Sequence, residues 1–537
     1  MSSLIKSDII ELSLGIGDII MKRKLMFFST IILIALGFIV HYSFNIQEVT
    51  SPPSETWSKE VLVDTADIQV NPKIIKYKDS YIIAYNNGEA IKIVSVDNFG
   101  GKLQEKSFPI DKQVPYNITL LTDGNSIYLY WIQYDDGKNI EGLKLDDKFN
   151  VLENEKIKGI EDLNQIDEKV MMISYKDKID IRNIYNKETA VINAADSKLL
   201  TGTKVNNDYI VAYTRDNGKY YYSYFRDGNA SEPKYVGTID EVTNVSFYNS
   251  AIAVDDKYGY IVVELRVKGE FGRAMLLKFS LTTGEFTLDE LKLGSSKAFV
   301  SDLTPYFGNE GAEFLASSYV AHGKKESNLN IVQIKMNQGE NVHVIPVSRI
   351  RGSAIYPAFT GDRVVFYKPI EKGKAELYLA SSAVDFIDKH NVLTKPEIRQ
   401  AILDTTEAVT FSIVYILLYG IIWFVPGVIL NSLSLLFDFK TIKRAKIWFV
   451  LSYAATLILK CYLIYTIAFR KNIYFMPKFL TPPLGMAICI AISIFYFVFG
   501  YSYFKKDAEN NMMIIDFSLA LIMDTLITLV FFVPFFI

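Results

Sequence analysis

A short glycine turn recurs along this chain between runs of strand-forming residues. Its copies are Asn86-Asn87-Gly88, Asp135-Asp136-Gly137, Asp216-Asn217-Gly218 and, more loosely, Glu371-Lys372-Gly373. Each copy follows a run rich in Tyr, Ile and Val, and a second such run comes after it. Asn-Gly and Asp-Gly pairs tolerate the positive φ angles that a type I′ hairpin needs at both central positions. The pattern therefore predicts a series of β-hairpins.

The hairpins belong to a longer repeat, in which each unit has about four short strands. The units begin near residues 72, 117, 163, 199, 242, 299 and 356. Their spacing of roughly 35 to 55 residues is typical of propeller blades. We therefore predict an all-β domain over residues 57–385, a β-propeller with seven blades. Tandem sandwiches are the alternative, although one sandwich needs only about seven strands and this region offers many more.

A propeller closes when strands from the two ends of the domain pair in one blade. The last unit lacks a clear fourth strand after Ala380, and residues 57–63 have strand character before the first unit. We predict that residues 57–63 supply the missing outer strand and lie beside residues 381–385.

Apolar segments flank the β domain on both sides. The basic cluster Lys22-Arg23-Lys24 ends a cytoplasmic segment, 1–24, and precedes a predicted signal-anchor transmembrane helix over 25–44. A signal peptide that is cleaved is the alternative. Linkers are expected at 45–56 and 386–407. Residues 408–537 hold four more spans, near 409–436, 447–469, 484–504 and 512–536, each long enough to cross a bilayer.

Basic residues in the short loops predict the orientation of these spans. They lie between the second and third spans and between the last two, at Lys440, Lys443, Arg444, Lys446, Lys505 and Lys506. Both loops are therefore expected in the cytoplasm. The sequence thus predicts a multi-pass cell-membrane protein with a cytoplasmic N-terminus, and with the β domain and the C-terminus outside the cytoplasm.

Ionisable residues inside the apolar spans are costly in lipid and indicate polar contacts between helices. Lys460 and Asp524 fall at similar depths in their spans, so we predict that they form an ion pair. Asp516 lies two turns before Asp524, and Asn431 is its predicted partner near the inner boundary. These residues would pin the helices together; a polar path for a proton or ion is the alternative.

The sequence offers few signs of catalysis. Its histidines are scattered singly, and it has no phosphate-binding loop or nucleophile elbow, so we expect no metal, no cofactor and no catalytic residues. A net charge of −3 argues against a nucleic-acid partner. Residues 214–221 come nearest to the Asp-box turn of sialidase propellers, but they lack its serine and tryptophan and identify no family.

The predicted role is therefore non-enzymatic binding, sensing or scaffolding outside the cytoplasm. The expected partners are the lipid bilayer, an extracytoplasmic protein or glycan ligand, and subunits of a membrane complex. Tyr-rich strands around Tyr130 and Tyr220 would either pack between blades or present an aromatic surface to such a ligand. A component of a transport or secretion complex is the first alternative function, and a surface glycan hydrolase is the second.

Overall fold

The computed structural model describes residues 2–535, with internal gaps. The gaps are 68–69, 111–114, 116, 135–136, 216–217, 240–244, 268–269, 294–295, 298, 308–310, 323–325, 338–340, 372, 434–441, 471–479 and 508–512. The chain divides into two compact units. One, the helical unit, comprises Met1–Ser51, Gly323–Glu326 and Leu393–Ile537, and the other, the ring unit, comprises Pro52–His322 and Ser327–Val392.

The ring unit consists of seven antiparallel sheets of four main strands each. The first three blades contain β2 (Lys73–Tyr77), β3 (Ser80–Asn86), β4 (Ala90–Val96) and β5 (Lys102–Pro109); β6 (Ile118–Thr122), β7 (Ile127–Tyr134), β8 (Lys138–Leu145) and β9 (Val151–Lys158); and β10 (Asp162–Gln165), β11 (Val170–Ser174), β12 (Lys178–Asn183) and β13 (Glu188–Asn193). The fourth contains β14 (Lys198–Val205), β15 (Asp208–Arg215) and β16 (Lys219–Arg226), with β17 (Asn229–Ala230) and β18 (Lys234–Thr238) at its outer edge.

The remaining blades follow the same order. They contain β19 (Val245–Val254), β20 (Tyr258–Val267), β21 (Glu270–Ser280) and β22 (Phe286–Glu290); β25 (Val300–Tyr306), β26 (Ala312–His322), β27 (Glu326–Asn337) and β28 (Asn341–Pro346); and β29 (Ile355–Thr360), β30 (Arg363–Pro369), β31 (Lys374–Ser381) and β1 (Val61–Asp67). A small ribbon of β23 (Lys292–Leu293) and β24 (Ser296–Lys297) separates the fifth and sixth blades. The inner strands contact one another in a closed cycle, β2, β6, β10, β14, β19, β25, β29 and back to β2. The ring unit is a seven-bladed β-propeller.

Each junction between neighbouring blades holds its own hydrophobic cluster, and there are seven such clusters in the ring. The strands in the middle of a blade are covered on both faces, so β3 is almost continuously buried, whereas the outermost strand β9 is exposed along nearly its whole length. Tyr130, Trp131, Tyr220 and Tyr222 are buried at these junctions. These four aromatic side chains therefore pack the blades together.

The predicted ring closure is confirmed, with a shift in its bounds. The outer strand of the last blade is β1, which runs from Val61 to Asp67 and pairs antiparallel with β31. The residues before it extend the closure, because the Ser58 amide donates to the Ser381 carbonyl at 2.8 Å. Trp57 itself is not in the strand; it is buried among side chains of the sixth and seventh blades.

The hairpin glycines adopt the positive φ angles expected of them. Gly88, Gly137, Gly218 and Gly373 have φ angles of +66°, +108°, +69° and +76°. The type I′ assignment is wrong at the first turn, because Asn87 does not share the positive φ of Gly88. The Asn87 amide donates to the Ala90 carbonyl, so Gly88 is the first central residue, as in a type II′ turn. Asp136 and Asn217 lie outside the described residues.

The helical unit contains long apolar helices. Its elements are α1 (Ser2–Thr50), α3 (Lys395–Tyr415), a π-helical turn (Ile416–Gly420), α4 (Ile421–Ser432), α5 (Ile442–Ile464), a second π-helical turn (Tyr465–Phe469), α6 (Leu484–Asp507), α7 (Met513–Phe532) and a 3₁₀ turn (Val533–Phe535). The short helix α2 (Val384–His390) belongs to the ring unit. Residues 386–407, expected as a linker, are thus mainly helical, and α1 continues through the first half of the expected linker 45–56.

Five segments among the described residues are long and apolar enough to cross a membrane. They are Arg23–Thr50, Lys395–Ser432, Arg444–Ile467, Leu484–Ser502 and Ile514–Phe532. One precedes the ring in sequence and four follow it, as the apolar segments of the sequence predict.

Substitution of Trp57 tests the closure. Trp57 fills the junction between two blades and its indole Nε1 donates to Gln333 Oε1 at 3.0 Å, so Trp57→Ala should cost about 3–5 kcal/mol. Leu62→Ala is the control, because Leu62 lies on β1 but is 52% exposed and should cost less than about 0.5 kcal/mol. Pulse proteolysis of the full chain in detergent measures both costs, and equal costs would contradict this role of Trp57.

The turn glycines provide a matched pair of substitutions. An Ala at Gly218 would place its Cβ 2.0 Å from the Ile239 carbonyl oxygen, whereas a Cβ at Gly373 meets nothing within 4 Å. Both positions have similar positive φ angles, so each substitution costs roughly 1–2 kcal/mol in backbone strain. Gly218→Ala should cost a further ~1–3 kcal/mol from the steric clash. Equal urea midpoints for the two variants would show that the ring tolerates a displaced Ile239.

Candidate functional sites

The helical unit brings Lys460 of α5 and Asp524 of α7 into direct contact. The Lys460 ammonium donates to Asp524 Oδ1 at 2.6 Å, and both side chains are at most 2% exposed. Ser493 of α6, which the sequence analysis missed, accepts from Lys460 at 2.6 Å and lies 3.0 Å from both carboxylate oxygens. The cluster therefore joins three helices through one buried charge pair.

Neighbouring hydroxyl groups extend this cluster. The Tyr453 hydroxyl donates to the Ser493 backbone carbonyl at 3.1 Å, which ties α5 to α6 a second time. Thr528 Oγ1 lies 3.5 Å from Asp524 Oδ1, one turn further along α7. The ammonium and the carboxylate therefore satisfy much of their hydrogen-bonding capacity from each other and from these groups, as a structural ion pair requires.

Asp516 has a different partner from the one predicted. Its Oδ1 accepts from Arg23 Nη2 at 3.0 Å, while neither amide atom of Asn431 has a hydrogen-bond partner in the described part of the chain. A buried carboxylate gains more from a cation than from a neutral amide, which explains the preference. Arg23 belongs to the basic cluster that precedes the first span.

Two further contacts attach α1 to the bundle. Thr30 Oγ1 and the Tyr496 hydroxyl are 2.9 Å apart, and His41 Nε2 is 2.8 Å from the Val530 carbonyl oxygen. Since Arg23 meets Asp516 and His41 meets Val530, α1 and α7 run in the same direction. When an odd number of spans alternate in direction across a membrane, the first and last helices must be parallel, as α1 and α7 are.

A double-mutant cycle on Lys460 and Asp524 measures their coupling. Lys460→Met or Asp524→Leu alone leaves an unpaired buried charge and should destabilise the protein by roughly 3–5 kcal/mol. The double variant removes both charges and should cost clearly less than the sum of the single variants. Unfolding of the full chain in mixed detergent micelles provides the free energies. Additive costs would show that the two charges do not depend on each other.

The centre of the ring holds a second candidate site, a polar channel between the inner strands. Its larger cavity, of about 810 Å³, is lined by the first residues of the inner strands, among them Asp162, Lys198 and Tyr356. Its smaller cavity, of about 250 Å³, is lined by the last residues of inner strands and the turns that follow, such as Glu168 and Gly361. Asn71, Lys73, Gln165, Thr304 and Pro305 line both cavities and so form the waist of the channel.

The two ends of the channel open on different faces of the ring. Ser381 pairs with Arg363, which pairs with Thr360 at the end of the inner strand β29. The smaller cavity therefore lies at the face where the chain enters and leaves the ring. The larger cavity lies toward the opposite face, which carries the glycine hairpins.

Bulges in four consecutive inner strands shape the larger cavity. The register shifts in β14, β19, β25 and β29, and residues at each shift line the cavity. Leu199, Asp302 and Tyr356 have φ angles of +48°, +56° and +57°, which side chains other than glycine rarely adopt. Bulges and strained residues of this kind are concentrated next to binding sites, where they redirect side chains.

Hydrogen bonds between adjacent inner strands hold the channel wall together. In each case a side chain donates to a backbone carbonyl of the next strand: Asn117 to Leu163 (2.5 Å), Asn164 to Leu200 (2.6 Å), Asn249 to Leu303 (2.9 Å) and Thr304 to Pro357 (3.0 Å). These polar residues therefore support the ring as well as line its cavity.

The charged groups in the channel have perturbed pKa values. Burial lowers the pKa of Lys73 to about 8, against the opposing attraction of Asp162. Burial raises the pKa of the Asp162 and Asp302 carboxyl groups. Asp302 is held by the Ser317 hydroxyl at 2.8 Å. The sequence analysis missed all three residues, because the pattern of strands and turns does not show which positions face the channel.

Comparisons with known proteins identify no family for this chain. No family model matches the sequence, and no curated protein matches it significantly. Similar solved structures include the beta-propeller domain of the Trilobed protease from Pyrococcus furiosus, at 12% identity over 58% of this chain and 93% of that chain, with a TM-score of 0.35. Kuenenia stuttgartiensis hydrazine synthase matches at 11% identity over 57% and 94% of the two chains, with a TM-score of 0.37.

This chain is thus a seven-bladed β-propeller combined with five apolar helices that are compatible with membrane insertion. The assignment rests on the sheet topology, and no activity is transferred from the matching structures.

Proposed function

We propose that this protein is a multi-pass membrane protein that displays its propeller outside the cytoplasm and binds a polar ligand there, without catalysing a reaction. The ligand class we propose is a glycan or a segment of another protein. The observation that carries the proposal is the 810 Å³ polar cavity at the centre of the ring. Its volume is within the range of pockets that hold small molecules, and its lining suits a hydrophilic ligand.

The distribution of basic residues supports this orientation. Arg23 and Lys24 stand at the start of the first span, and Arg444 and Lys446 begin the third. Placing both groups in the cytoplasm follows the positive-inside rule and leaves the ring, which lies between the first and second spans in sequence, on the other side. The parallel arrangement of α1 and α7 supports the same topology, with a C-terminus outside the cytoplasm.

The two alternative functions receive less support. Transport would use Lys460 and Asp524 as a polar path, but these residues bind each other and Ser493 closely. Glycan hydrolysis would need two carboxyl groups placed about 5–10 Å apart around a substrate. Asp302 instead accepts hydrogen bonds from Ser317 and from Ser301, which suits a fixed structural or binding role.

A substitution that fills the channel tests the proposed function. Asn71→Trp places a large side chain at the waist, whereas Asn154→Trp places the same side chain on the exposed outer strand β9. Full-length protein in detergent is applied to glycan and peptide arrays. We expect ligand binding by the wild type and by Asn154→Trp, and at least tenfold weaker binding by Asn71→Trp at an unchanged melting temperature.

Two results would overturn the proposal. One is an Asn71→Trp variant that binds the array ligand as the wild type does. The other is a wild-type protein that binds no component of either array. Protease treatment of intact cells checks the orientation, since the ring should be removed while the apolar helices remain in the membrane.

A further inference from the structure

One lysine of the channel, Lys73, differs from the other lysines that line it, Lys138, Lys198 and Lys204. Lys73 projects from the start of the inner strand β2 and lines both cavities at the waist. In the described part of the chain it makes no hydrogen bond and no ion pair. Asp162 attracts it electrostatically, but the two groups form no ion pair among the described residues.

Several other charged residues of the channel have local partners. Lys138 donates to the Glu161 carbonyl at 2.7 Å, and the Asp162 carboxylate accepts from the Leu163 amide at 2.8 Å. Asp167 accepts from the Tyr209 hydroxyl at 2.9 Å, with Lys204 at 3.9 Å. Lys73 is only partly exposed and has no such contact, so its ammonium is a group in the channel that an anionic ligand could pair with.

A neutral hydrogen-bond donor accompanies Lys73 at the waist. Gln165 Oε1 accepts from the backbone amide of Leu120 at 3.0 Å. Because a backbone N–H can only donate, this bond fixes which end of the side-chain amide is the oxygen. The Nε2 group of Gln165, which lines the same two cavities, is therefore left as a donor without a partner among the described residues.

We propose that Lys73 and Gln165 form an oxyanion site at the waist of the channel, which anchors a carboxylate or phosphate group of the bound ligand. The inference rests on the proposed function and narrows its ligand class to anionic molecules. An ammonium supplies a charge-assisted hydrogen bond and the amide supplies a second donor, which is the combination that carboxylate and phosphate oxygens accept. Thr304 does not add a third donor, because its hydroxyl already donates to Pro357.

Competitive acetylation of the full-length protein in detergent tests this site. The lowered pKa of Lys73 leaves a substantial fraction of neutral amine at pH 8, so trace acetic anhydride should modify it. Inorganic phosphate, D-glucuronate and an acetylated dipeptide with a free carboxyl group are added separately, and D-glucose is the neutral control. We expect at least one oxyanion to slow acetylation of Lys73 fivefold or more at millimolar concentration, and glucose to leave it unchanged.

The three oxyanions distinguish the source of the group: a phosphate, an acidic sugar or a peptide terminus. Lys76 provides the internal control, because it lies on the same strand but is exposed, and its acetylation should not respond. Gln165→Glu keeps the oxygen that accepts from Leu120 and replaces the donor with a negative charge. It should abolish the protection of Lys73 while the protein keeps its melting temperature.

Binding of the array ligand separates this inference from the proposed function. Lys73→Met should weaken binding at least tenfold, and Lys76→Met should leave it unchanged. If Asn71→Trp abolishes binding but Lys73→Met retains it within twofold, the channel binds a ligand and the oxyanion site is wrong. The inference would also be overturned if none of the three oxyanions slowed the acetylation of Lys73. That result would not contradict the binding of a neutral ligand in the channel.

Discussion

The pairing of β1 with β31 is the interaction on which the ring depends. A propeller blade is stable only when both of its faces are covered, and the first and last blades cover each other only if the ring closes. Here the N-terminal strand completes the last blade, from Val61 opposite Leu379 to Asp67 opposite Lys374. Every hydrogen bond of this pairing joins residues more than 300 positions apart, so the closure links the two ends of the domain.

Closure also determines where the chain enters and leaves the ring. The Ser58 amide bonds to Ser381, and Trp57 is buried beside Ala380. The two connections therefore lie together on one face, at the ends of the inner strands. The opposite face carries the glycine hairpins and the loops around the larger cavity. A single strand pairing thus places both chain connections on one face of the ring and the larger cavity toward the other.

The polar character of the channel follows from the same geometry. The apolar side chains of the blades are used at the seven junctions, where they pack against neighbouring blades. The inner strands surround a space that seven short strands cannot fill, and polar side chains line it. Three of the polar residues also stabilise the ring, because each donates a hydrogen bond to a backbone carbonyl of the next inner strand: Asn117, Asn164 and Asn249. The bulges then widen one end of the channel.

Sequence reasoning succeeded where the determinants are local. The glycine turns and the alternation of strand and turn located all seven blades, since a hairpin is specified by a few adjacent residues. The first turn was assigned one residue out of register, because the role of Gly88 depends on which residues pair across it. The closing strand was found but began at Val61, because the burial of Trp57 between two blades cannot be inferred from its neighbours in sequence.

Contacts between distant residues were harder to predict. The Lys460–Asp524 pair could be predicted by counting residues along each helix, because both residues lie at similar depths in their spans. The contact between Asp516 and Arg23, in place of Asn431, depends on the position of α1 in the bundle, which the sequence does not show. The waist of the channel was missed for a related reason: Lys73 and Gln165 are 92 positions apart and line the same cavities only in the folded ring. Lys460 and Lys73 differ in whether the described part of the chain supplies a partner for the ammonium group. Lys460 is paired with a carboxylate and a hydroxyl, as a residue that stabilises the protein should be. Lys73 lines the channel and has no hydrogen-bond or ion-pair partner in the described part of the chain. An anion from solution would supply the hydrogen-bond acceptor that the chain does not give Lys73, so we infer a binding role for Lys73 and a structural role for Lys460.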